Sequence, residues 1–142
     1  MELTETIIRL SMATLLGGAI GAFREREGKA AGLRTHILVS VGSALFMLIS
    51  IGAASQQPGA DITRIAAQVV TGIGFLGAGM IIRAGRSVLG LTTAASVWVV
   101  SAIGLAAGAG LMKEAVVATV LAVIVLQFLL PFEKKYLRRP EE

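Results

Sequence analysis

The sequence predicts an all-α membrane protein of five transmembrane helices, built as two similar helical hairpins and one closing helix. Three observations predict it. Of 142 residues, 55% are hydrophobic and only 15% are charged, where a soluble domain carries roughly 25% charge; the mean hydropathy is +0.80. The apolar residues fall into five runs of about spanning length, separated by charged or polar breaks. The chain also resembles itself at an offset of 58 residues.

The elements follow in order. Residues 1–132 form one transmembrane domain, and 133–142 a charged tail too short to fold alone. The start carries Glu2 and Glu5 in place of a basic patch, so it does not read as a secretory signal. Span one covers 7–23, with Arg9 placed to snorkel to the headgroups and Gly17 and Gly21 forming a G-x-x-x-G face. A charged connector leads to span two, 33–54. A polar loop then reaches Asp61, a plausible N-cap. Span three covers 64–82 and span four 91–110, with a tight turn between them and a second G-x-x-x-G at Gly104 and Gly108. Span five, 115–132, has no glycine and reads as lipid-facing around much of its surface.

Cationic residues near the spans set topology. With the N-terminus outside, the inner side holds Arg24, Arg26, Lys29, Arg34, Arg83, Arg86, Lys134, Lys135, Arg138 and Arg139, against Arg9, Arg64 and Lys113 outside. The N-terminus is therefore expected outside and the C-terminus in the cytoplasm.

The repeat lays Gly32–Ala44 over Gly90–Ala102. Gly32/Gly90, Leu33/Leu91, Thr35/Thr93, Val39/Val97, Val41/Val99, Ser43/Ser101 and Ala44/Ala102 are identical, and Gly21 coincides with Gly79. Each copy is a hairpin that starts and ends outside, so the two are parallel repeats about an axis along the membrane normal.

The stretch from Gly72 to Trp98 is the densest in glycine. Glycine inside a helix costs about 1 kcal/mol relative to alanine in water, but in lipid it lets two backbones approach. Gly72, Gly74 and Gly77 match G-x-G-x-x-G. A dinucleotide fingerprint needs a preceding strand and an acid about 20 residues on, and here Val97, Trp98 and Val99 occupy that region. Packing glycines, with Gly79, are the better account.

The candidate polar cluster comprises Arg24, Glu25, Arg34, Thr35, Arg64, Gln68, Thr92, Thr93 and Ser96. Arg24, Glu25, Arg34, Arg83 and Arg86 surround the two inner turns. Their plain reading is solvated charge that meets lipid phosphate; in the alternative, Glu25 pairs with an arginine or the arginines dock an acidic partner. Thr92, Thr93 and Ser96 open span four, where capping and back-bonding compete with a polar pocket shared with Thr35. Gln68 and Thr71 lie on one face with Arg64 and are expected to point into the bundle. His36 is expected at headgroup depth, hydrogen-bonded and not ligating. Trp98 reads as a core anchor, and Phe132 and Tyr136 as inner-interface aromatics. With no cysteine, one histidine and nine carboxylates, no nucleophile–base–orienter set can be assembled. No enzyme activity, metal site, cofactor or nucleic-acid partner is expected.

Four blocks carry a family resemblance: Arg24-Glu25 with Gly28-Lys29; Ala31 to His36; Arg64 to Gln68 with Gly72 to Gly79; and Gly90 to Ser96 with Trp98. Together they resemble the MgtC/SapB family of bacterial inner-membrane proteins, from about Gly17 to Gly110. The resemblance implies a multi-pass protein of the plasma membrane, with relatives tied to low-magnesium growth and survival in host macrophages. It implies regulation of other membrane proteins, including the F-type ATP synthase and transporters. Two departures stand out: Phe23 replaces a glutamate frequent in the family, and the soluble C-terminal domain of many members is not in this sequence. The expected function is thus a non-enzymatic partner protein in the bilayer, with a small magnesium channel or transporter subunit as the alternative. A homo-oligomer, favouring a dimer, is expected from the surplus of glycine faces.

Overall fold

A computed structural model describes residues 2–57, 59–85 and 87–132. The expected tail at 133–142, with Tyr136 and its basic residues, lies outside these, as do Arg86 and the side chain of Phe132. Five helices are present: α1 (Leu3–Arg26), α2 (Leu33–Ala54), α3 (Thr63–Met80), α4 (Leu91–Ala109) and α5 (Met112–Phe132). At about 1.5 Å per residue, their 18 to 24 residues give roughly 27–36 Å, close to the thickness of a bilayer core. Helix α1 begins four residues earlier than the apolar run because Glu5 and Arg9 form an i,i+4 ion pair on its first turns. Arg9 does not snorkel freely. It donates to Gly108 O at 2.7 Å, tying the start of α1 to the end of α4.

The turn between α3 and α4 is a small antiparallel hairpin, β1 (Ile82–Ala84) and β2 (Ser87–Leu89), with Ala84 facing Ser87. A two-residue loop of this kind needs positive φ, and Gly85 supplies it at +62°. Helix α4 ends on Gly110 at φ +85°, where Leu111 N–H reaches back to Ala106 O at 2.9 Å, the six-to-one bond of a glycine-terminated helix. At the start of α3, the Asp61 carboxylate accepts from both the amide and the hydroxyl of Thr63. Those two bonds hold its pKa below the usual carboxylate value.

Helix α4 is central and touches all four other helices. It runs parallel to α2: His36 meets Ser96, Ser43 meets Ser101, and the Cα of Gly108 backs onto Ala44. Helix α1 is antiparallel to both, since Gly21 packs on Leu33 and Arg24 reaches Thr93. The core between them is built of small and branched residues, including Ala13, Ile20, Ala44, Val100, Ile103 and Ala107. Glycine makes the approach possible. A Cβ on Gly17 would lie 2.7 Å from Ser40 Cβ, and one on Gly21 2.8 Å from Leu33 Cα. A Cβ on Gly108 would lie 2.9 Å from Ala44 Cα, and one on Gly104 would collide with the Ser40 carbonyl.

The internal repeat is visible as geometry. Ser43 and Ser101, equivalent at an offset of 58, hydrogen-bond each other at 3.0 Å while almost fully buried. Equivalent residues meet only on a symmetry axis, so the axis relating the hairpins passes between these hydroxyls.

The second hairpin is looser than the first. Only Ile73 of α3 is buried. Four helices are long and apolar enough to cross a membrane by length and composition, and α3 is not among them, diluted as it is by Arg64, Gln68 and Thr71. Its ends nonetheless connect opposite ends of the bundle. Ser50 near the end of α2 donates to Ile62 O at 2.5 Å, and Met80 O abuts Gly90 at the start of α4. Because α2 and α4 are parallel, α3 must run the full height between them. Helix α5 exposes Val117, Val120, Leu121, Ile124 and Phe128, an apolar outer face.

Candidate functional site

The polar residues of the bundle gather at the end where the α1–α2 connector and the β-hairpin lie. Arg24, in the last turn of α1, is 2% exposed. Its Nη2 donates to Thr93 Oγ1 at 2.8 Å and its Nη1 to Glu27 Oε2 at 3.3 Å. Gln127 of α5 donates to the other oxygen of Glu27 at 2.8 Å. Arg24 thus bonds α1 to α4, and through Glu27 the chain of bonds reaches α5.

One turn deeper lies a second set. His36 is fully buried, with Nδ1 2.8 Å from Gly32 O and Nε2 3.1 Å from Ser96 Oγ. Gly32 O can only accept, so Nδ1 carries the proton and fixes the tautomer. Ser96 Oγ lies also 2.8 Å from Thr93 O. Thr93 and Ser96 therefore join the arginine and the histidine into one buried network, about two turns above the Ser43–Ser101 pair. Such a network rigidifies when its members are satisfied.

Several expectations are revised. His36, in the first turn of α2, is fully buried, because the glycine at position 21 lets α1 close over it: a Cβ there would be 2.9 Å from His36 Cβ. Glu25 pairs with no arginine among the described residues; its Oε2 accepts from Leu33 N–H at 2.9 Å, and Glu27 is the partner of Arg24. Gln68 and Thr71 point outward, because α3 turns mainly Ile73 toward the bundle. Trp98 is 53% exposed, since the opposite face of α4, with Val97 and Val100, fills the core. Arg34, Arg64 and Thr92 are exposed and Thr35 is half-buried. Arg64 lies at the far end of the bundle from Arg24, so the nine candidate residues do not form one site. The network does contain Arg24, Thr93 and Ser96. Glu27 and Gln127 are additions that sequence reasoning missed. Gln127 is the one polar residue of α5 after Thr119, and that isolation was the available signal.

The glycines divide by helix, those of α1 and α4 against those of α3. Gly17, Gly21, Gly104 and Gly108 stand at close backbone contacts. A Cβ at Gly72, Gly74 or Gly79 would meet nothing within 4 Å, and one at Gly77 only the Ala94 methyl at 3.7 Å. Within one chain, then, the glycine-rich face of α3 is open. Beside it a groove of about 500 Å³ runs between α2 and α3, lined by Leu38, Gly42, Phe46, Gln68, Gly72 and Leu76.

Comparison with known proteins agrees with this architecture. The family model described as the MgtC family matches residues 10–135. The "Putative magnesium transporter YhiD" of Escherichia coli (strain K12) is 48% identical over 128 residues, covering 87% of this chain and 60% of that protein. "Protein MgtC" of Salmonella typhimurium (strain LT2) is 49% identical over 115 residues, covering 81% of this chain and 48% of that protein. "Uncharacterized protein slr0014" of Synechocystis is 41% identical over 124 residues, covering 87% and 52%. The chain thus spans between about half and three-fifths of the length of these relatives. No solved structure matches it. A match across most of the chain, to a family of which two relatives are nearly half identical, leaves one conclusion: this multi-pass bacterial membrane protein belongs to the MgtC family.

Proposed function

We propose that the chain is a non-enzymatic protein of the bacterial plasma membrane that binds or regulates other membrane proteins in magnesium-related physiology. The observation that carries this reading is the open face of α3. Gly72 and Gly79, about two turns apart on one side of the helix, leave bare backbone with nothing within 4 Å, on the same side as Phe75 at 82% exposure. A helix gains nothing from glycine there unless another helix packs on it. The resemblance makes the F-type ATP synthase or a transporter candidate occupants; a second copy, giving a dimer, is another. The connection to magnesium rests on the printed name of the Escherichia coli relative and on the family resemblance, which extends to low-magnesium adaptation inside a host. The N-terminus is placed outside and the C-terminus inside by the distribution of arginine and lysine. A cytoplasm-dependent reporter fused after Glu142 is then active, and one that works only outside the cytoplasm contradicts this orientation.

The second reading, a small magnesium channel or transporter subunit, is favoured by that same relative's name. Magnesium is a hard ion that takes oxygen ligands and keeps several waters. Here Ser43 pairs with Ser101, Ser96 with His36 and Thr93 with Arg24, while Ser40 Oγ alone among the buried hydroxyls of the described residues has no partner, and among those residues no three His, Cys, Asp or Glu side chains come together. Liposomes holding only this protein separate the readings. Regulation by contact predicts magnesium entry no faster than in empty liposomes; a protein-dependent flux overturns it in favour of transport.

A further inference from the structure

The two repeats treat the start of their second helix differently. In the first, the Glu25 carboxylate accepts from Leu33 N–H at 2.9 Å, placing an anion at the head of α2. The residue 58 positions on is Arg83, in β1, whose guanidinium turns to Gly85 O at 3.4 Å. Gly90 leads into α4 in the left-handed conformation, and among the described residues no side chain caps the first turn. The head of α4 therefore keeps amide donors without acceptors and the positive end of a helix dipole.

That helix end opens on a cavity of about 750 Å³. Arg24 lines it, and among the described residues the Nε–H of this buried side chain has no acceptor although both terminal nitrogens are engaged. Lys29, exposed in the connector, adds a second positive charge to the lining. Glu27 is the one carboxylate among the described lining residues, and Arg24 and Gln127 already hold both its oxygens. The facing wall is apolar, formed by Val125, Leu126 and Leu129 of α5. Cationic at one side and apolar at the other, at a helix end, the cavity has the polarity of an amphiphile whose head is an anion.

We propose that this cavity holds the phosphoryl headgroup of an anionic phospholipid, with an acyl chain lying along α5. The phosphoryl oxygens accept from the first turn of α4 and from Lys29 and Arg24. They supply from outside the anion that Glu25 supplies from within in the first repeat. This site is on the opposite hairpin contact from the open α3 face, so it stands apart from the partner-binding reading.

Native mass spectrometry of the full chain in detergent, mixed with phosphatidylglycerol or phosphatidylcholine, tests it. Expected are one retained phosphatidylglycerol per chain and at least tenfold weaker retention of phosphatidylcholine. Lys29→Ala, an exposed loop change that leaves the fold intact, weakens phosphatidylglycerol retention by about fivefold; Arg24→Gln weakens it further if that variant folds. Equal retention of the two lipids, or retention unchanged in Lys29→Ala, overturns the proposal. A parallel arm adds inorganic phosphate alone at millimolar concentration. No competition is expected; displacement of the lipid's thermal stabilisation by phosphate, with equal stabilisation in its place, overturns the lipid assignment in favour of a soluble anion.

Discussion

Gly104 stands where α4 crosses α2, and a single methyl group there has nowhere to go except into the Ser40 carbonyl. Overpacking of this kind costs about 1–3 kcal/mol. Gly79 is the opposite case, with nothing within 4 Å, and alanine there restores helix propensity worth up to about 1 kcal/mol. Thermal unfolding in detergent is expected to show Gly104→Ala clearly destabilised and Gly79→Ala unchanged or slightly more stable. Equal losses at the two positions contradict the assignment of which glycines pack inside the chain. The G-x-x-x-G pairs at 17/21 and 104/108 were legible in the sequence because their spacing puts both glycines on one helix face. What the spacing cannot say is whether the facing helix belongs to the same chain. Gly72 and Gly79 also share one side of their helix, and there the space is empty.

Among elements, α2 and α4 carry the symmetry. The repeat was legible as identities between Gly32–Ala44 and Gly90–Ala102, and its axis surfaced as a bond between two of those identical residues, Ser43 and Ser101. Hydrogen bonds between membrane helices contribute on average about 0.6 kcal/mol, and at most about 1.7. A double-mutant cycle of Ser43→Ala and Ser101→Ala is expected to give a coupling energy in that range. A coupling of zero means the two hydroxyls do not meet. The facing of Trp98 was not legible, because α4 is apolar nearly all round and which stripe is buried depends on neighbours that only the fold supplies. The polar face of Arg64, Gln68 and Thr71 was legible, but not that it turns away from the bundle. The start of α3 was read more successfully from Asp61, whose cap is local and needs no neighbour. The burial of His36 was not legible for the reverse reason: it comes from the absence of a side chain at Gly21, on another helix.

At the scale of the whole molecule, the bundle is tight on one side and unfinished on the other. Helices α1, α2 and α4 interlock through glycine and a buried network running from Glu27 through Arg24, Thr93 and Ser96 to His36. Helix α3 hangs at the edge with a glycine-rich face uncovered, so the rigid part is a scaffold and the open part a surface it presents. The measurement that tests this most directly is photo-crosslinking in native membranes from a probe at Phe75, compared between the parent chain and a Gly72→Leu, Gly79→Leu variant. The account predicts a discrete crosslinked protein, another membrane protein or a second copy, that disappears in the leucine variant while its unfolding temperature in detergent is retained. The same crosslinks at full yield in the leucine variant, or crosslinks to lipid alone in the parent, would contradict it.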